Sequence, residues 1–140
     1  MKNKAKSLIN RLAAATILLL VAVALPSAAK KDILTFAEKS FDFGTVTESS
    51  APVVHEFVFT NTSDEPVAVL SVSTGCGCTR PVYPVEPVAP GRTGVIKITF
   101  TPKGQVGSVN KDIKVRYRGA KARSSQRVTL RLRGKVTPDR

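Results

Sequence analysis

The chain has 140 residues, with 22 Lys and Arg against 10 Asp and Glu, a net charge of +12, and 42% hydrophobic residues. That length accommodates one domain with one core and not two. With one histidine and two cysteines it lacks the four ligands of a closed zinc site, and any hydrolytic triad would have to run through His55.

Residues 1–29 read as a signal peptide. Lys2, Lys4, Lys6 and Arg11 accompany an apolar run over residues 12–25, shorter than the roughly 20 residues that a membrane-crossing helix needs. Ser27 and Ala29 suit cleavage before Lys30, and no cysteine follows the run to carry a lipid anchor. The expected mature chain, residues 30–140, is periplasmic or secreted, has no transmembrane span, and meets conditions that permit a disulfide. Its charge is uneven: residues 103–140 hold twelve Lys and Arg against only Asp112 and Asp139.

After residue 30, short alternating runs of Val, Ile, Thr and Phe are separated by Gly, Pro, Asn and Asp, which predicts an all-β chain. ILTFA (33–37) and FDFGTV (41–46) predict a broken first strand, with Gly44 allowing a turn or bulge. VVHEFVFTN (53–61) sets Phe57 and Phe59 on one face and Glu56 and Val58 on the other. His55 shares the phenylalanine face and reads as a partly buried structural histidine.

NTSDEP (61–66) is a turn; its Asn61-Thr62-Ser63 matches a glycosylation acceptor but is more simply turn chemistry. VAVLSVS (67–73) is an apolar strand leading into the cysteines, and the proline-rich stretch at 80–91 predicts an extended crossover. GVIKITFTP (94–102) alternates again, and the runs at 107–119 and 127–136 alternate most cleanly. Seven strands in this length, with one long crossover, predict an antiparallel two-sheet sandwich.

The succession FDFGTV, HEFVFTNTSDEPVAVLSV, CGCTRP, VAPGRTGVIKITFTP, GSVNKDIKV and LRGKV resembles the bacterial family called domain of unknown function 1573. The resemblance covers nearly all of residues 34–137, and CGCT followed by PG about a dozen residues later is its most specific part. It implies a signal-bearing envelope protein with an immunoglobulin-like sandwich of about seven strands. It brings no established activity. TESS at 47–50 departs from the family pattern, where an acidic residue followed by glycine is expected.

Cys76 and Cys78 admit several readings. A bridge between them needs a bend at Gly77 or Gly75, and it closes only three residues, for which loop entropy gives about 1.6 kcal/mol against about 3 for a fifteen-residue loop. Two thiolates also suit Cu(I) or Zn(II), with His55 as a third ligand or with two chains pooling four sulfurs, and Arg80 nearby favours a reactive thiolate. The remaining readings are a tight structural corner and an intermolecular disulfide.

In the last two strands Ile113, Val115 and Tyr117 alternate with Lys114, Arg116 and Arg118, and Val128, Leu130 and Leu132 alternate with Arg127, Arg131, Arg133 and Lys135. Paired as a hairpin, they present seven cations on one sheet face. The expected function is therefore an extracytoplasmic immunoglobulin-like binding module that contacts an anionic envelope component or an acidic protein through that face. The alternative is a thiol-redox or copper protein built on Cys76 and Cys78. Nucleic acid is not an expected partner, since the face lacks interleaved aromatics and a signal peptide removes the chain from the genome. No catalytic set, cofactor or resident metal site is expected.

Overall fold

The computed structural model describes residues 31–140; the expected signal peptide lies outside the described residues. Period-two alternation gives each strand one apolar row, and such rows are buried when two sheets face one another. Eight strands do so: β1 (Leu34–Phe36), β2 (Ser40–Thr47), β3 (Val53–Asn61), β4 (Val67–Ser73), β5 (Thr79–Val82), β6 (Thr93–Phe100), β7 (Gly107–Gly119) and β8 (Gln126–Thr137). One sheet runs β1-β3-β6-β5 and the other β2-β8-β7-β4. Phe57, Phe59, Ile96, Ile98 and Phe100 from the first meet Ile113, Val115, Tyr117, Leu130 and Leu132 from the second in one buried cluster. Among the described residues no helix is long and apolar enough to cross a membrane.

The sandwich expected from the sequence is present, with three refinements. The broken first strand serves both sheets. Ala37 N–H donates to Val58 of β3, whereas Lys39 C=O accepts from Arg131 of β8, so the chain changes sheet at Glu38. His55 secures this step: its Nε2 lies 2.8 Å from Glu38 Oε1, and its ring stacks on Phe41 at 3.7 Å and meets the edge of Phe57. Second, β2 pairs with β8 in parallel, and every other pairing is antiparallel.

Third, β5 forms inside the proline-rich stretch, against β6, with Pro81 opposite Ile98. Proline lacks a ladder donor, and an edge strand is where that lack is tolerated. The β2 bulge falls between Asp42 and Thr45; Gly44 has φ +73° there, and its N–H donates to Asp42 Oδ1 at 2.8 Å.

Asn61 joins three segments from a fully buried position. Its Nδ2 donates to Glu65 C=O at 2.8 Å and Val88 C=O at 2.9 Å, and its Oδ1 accepts from Ser63 N–H and Ser63 Oγ–H. The side chain that the glycosylation pattern would modify is thus consumed by the turn and closed to solvent. Replacing it removes four hydrogen bonds from a buried site, each worth about 0.5–1.5 kcal/mol net, although the Glu65 and Val88 carbonyls each keep a second donor, Ser63 Oγ–H and Val67 N–H.

Tyr117 is the largest fully buried side chain, and burial, reinforced by Asp32, raises its phenol above the usual 10.0. The folded state therefore holds that proton more tightly than the unfolded chain, and stability is lost as pH rises above the unfolded value. Two outcomes follow. Urea unfolding of Asn61→Ala should show a loss of about 2–3 kcal/mol. Stability measured from pH 8 to 11 should fall above pH 10 in the parent and fall less in Tyr117→Phe.

Candidate binding face and cysteine corner

The β7–β8 hairpin is continuous from Gly107↔Val136 to Tyr117↔Gln126. Alternation along both strands leaves Lys114, Arg116, Arg118, Arg127, Arg131, Arg133 and Lys135 all exposed on the outer face. Their register divides them into two groups. Arg131 lies across from Asp112, with Nε 3.5 Å from Oδ1, and Arg133 is the register partner of Asp42 on β2. Those cations have carboxylate neighbours.

Arg116 instead stands directly across from Arg127, and Lys114 across from Thr129. On the other flank β4 supplies only Ala68, Ser71 and Ser73 beside Arg118, Arg116 and Lys114. Among the described residues only Arg131 of the seven forms an ion pair, and Lys114, Arg116, Arg118 and Arg127 have no carboxylate as a register partner. Like charges directly opposite on adjacent strands destabilise a sheet, so this end of the face carries an uncompensated repulsion. Asp112 was visible to sequence reasoning, since it has the same parity as Lys114. Asp42 was not, because its position depends on the parallel β2–β8 pairing.

The cysteines occur as a Cys76–Cys78 disulfide, with Cα atoms 5.3 Å apart. The chain bends at Gly75, which has φ +74°; Gly77, the residue inside the ring, is not left-handed. The corner is tied independently of sulfur. Thr74 Oγ–H donates to Thr79 C=O at 2.9 Å, Thr101 N–H donates to Cys78 C=O at 2.9 Å, and Thr79 Oγ1 lies 3.6 Å from both sulfurs. Cys78 packs against the core.

Cys76 and Gly75 line a cleft of about 320 Å³ whose other wall includes Lys111, Asp112 and Lys114 of β7. Among the described residues no three His, Cys, Asp or Glu side chains gather to hold a metal ion, and His55 is not grouped with the cysteines. His55 is engaged instead at the sheet switch.

A search of curated proteins finds no match. Among solved structures, the Vibrio cholerae VesB protease is similar with a TM-score of 0.60 at 14% identity, covering 74% of this chain and 32% of that one. A protein of unknown function from Porphyromonas gingivalis gives 0.58 at 16%, covering 75% and 46%. The YadV chaperone gives 0.56 at 13%, covering 78% and 53%. The chain thus spans about a third to about half of the length of these proteins, and the likeness is one of fold: an immunoglobulin-like sandwich. Residues 34–136 match the family described as "Protein of unknown function (DUF1573)", which is the resemblance carried by the strand succession and the CGCT corner, and the chain belongs to that family.

Proposed function

We propose that this protein is a non-enzymatic binding module of the cell envelope, exported by the segment at residues 1–29, and that it contacts an anionic partner through the outer face of the β7–β8 hairpin. The observation carrying this reading is the Arg116–Arg127 cross-strand pair with Lys114 and Arg118 beside it, none of them paired to a carboxylate. An anionic ligand removes a repulsion that the free protein sustains. The second group, Arg131, Arg133 and Lys135, contributes less because Asp112 and Asp42 stand beside two of its three cations; Lys135 stands across from Ser108 and Thr45.

The alternative built on Cys76 and Cys78 has one observation in its favour, the cleft that brings Cys76 to the lysines of β7. Against it stands the bonded state of both sulfurs, which offers no thiolate to copper, and the dense hydrogen bonding of the corner. We read the bridge as a small structural tie.

Binding of polyglutamate in low salt, followed by fluorescence anisotropy, tests the face. Arg116→Glu, Arg118→Glu and Arg127→Glu together should weaken it at least tenfold, whereas Arg131→Glu, Arg133→Glu and Lys135→Glu together should weaken it less. Equal effects, or none, contradict the assignment. Arg127→Glu alone should also stabilise the fold by about 0.2–1 kcal/mol, because it turns a like-charge pair into an opposite-charge one. Cys76→Ser with Cys78→Ser should cost about 1.6 kcal/mol or less and leave polyglutamate binding unchanged. One copper bound per reduced chain would instead favour the thiol reading.

A further inference from the structure

The sandwich ends in four edge strands, and three of them are poor templates for another strand. β1 has three residues, β5 contains Pro81, and β2 is broken by the bulge at Gly44. β4 is different: it is seven residues long, its sequence, VAVLSVS, contains neither proline nor charge, and its one register slip, at Leu70, involves no glycine. It pairs with β7 on one side. Its other side is met only at Val67, which exchanges bonds of 3.0 and 2.8 Å with Val88. Beyond that bridge, among the described residues, the outer side of β4 has no strand beside it.

Two features flank this open edge. Between β4 and β5 lies an apolar groove of about 540 Å³, lined by Val69, Leu70, Val82, Tyr83 and Val85. Val82 is 59% and Val85 91% exposed. The register slip of β4 falls at Leu70, which joins Val69 in that lining. On the outer face, the cations Arg118, Arg116 and Lys114 stand beside Ala68, Ser71 and Ser73. These three side chains are short. They leave the arginines free to lean across β4 toward whatever lies on its far side, two strand spacings or about 9.6 Å from β7.

We propose that the β4 edge is a docking site for an extended segment of an acidic partner protein, which adds as a fifth strand beside β4. A strand sends alternate side chains to opposite faces, so one row of the segment enters the groove and the other shares the outer face with the arginines, with only Ala68, Ser71 and Ser73 between them. The segment that fits both is one in which aliphatic residues alternate with Asp or Glu. Charge complementarity favours this occupant over a second copy of the chain, since two β4 edges brought together would put two cationic rows on one continuous sheet face with no carboxylate on the strands between them. The proposal rests on the reading of the hairpin face as an anion-binding surface and supplies the partner's class.

The test uses the purified protein and three end-blocked octapeptides: Val-Glu repeated four times, Val-Lys repeated four times, and four Val followed by four Glu. The alternating acidic peptide should bind at least tenfold more tightly than either control and slow amide hydrogen exchange at Val69 and Val72, whose amides face away from β7. Val82→Asp with Val85→Asp should weaken that peptide at least tenfold and change polyglutamate binding less than twofold. Arg116→Glu with Arg118→Glu should weaken both ligands. Equal affinity for the block and alternating peptides, or unchanged exchange along β4, overturns the proposal. So does a dimer that protects β4 without peptide. Retention of polyglutamate binding in any of those cases leaves the anion-binding reading standing, and its loss in the parent protein refutes that reading separately.

Discussion

The constraint on which this structure depends is the pairing of two apolar rows across the sandwich, which obliges every long strand to hide alternate side chains. In β7 and β8 the hidden set is Ile113, Val115, Tyr117, Leu130 and Leu132. Once these are inside, parity sends the intervening residues to water, and in this chain the intervening residues are mostly Lys and Arg. The cationic face is therefore a consequence of the core. A register slip of one residue on either strand would bury arginines and expose leucines, a cost that fixes the hairpin alignment.

Register also determines where the charge is uncompensated. Asp112 and Asp42 fall beside Arg131 and Arg133, while Arg116 and Arg127 face each other next to the short side chains of β4. Sustained repulsion on a solvent face is tolerated because screening and long flexible side chains keep it small. The same arrangement lowers the cost of bringing an anion to this end of the sheet. The CGC corner joins the strand that borders the cations to the crossover, so the family's most specific motif shapes the rim of the face without supplying its charge.

The strand pattern was legible because valine, isoleucine and phenylalanine alternate with polar residues throughout, and the family resemblance added the topology. Less legible were features that depend on distant pairing. Nothing local in FDFGTV indicates that it leaves the sheet of β1 and lies parallel to β8; that follows from the handover at Glu38 and its contact with His55. Pro81 argued against a strand, and only its edge position permits one. The sequence allows a bend at either Gly77 or Gly75, and the left-handed residue is Gly75. Of the seven cations, parity gave the common face, but which of them have a carboxylate beside them, Arg131 and Arg133, required the register.

Residue-resolved NMR titration with polyglutamate examines that division most directly. The account predicts that amide shifts centre on Lys114, Arg116, Arg118 and Arg127, with small changes at Arg131, Arg133 and Lys135, and that they fade as salt is raised. Shifts centred on Arg131–Lys135, or on the opposite sheet of β1, β3, β6 and β5, would contradict it.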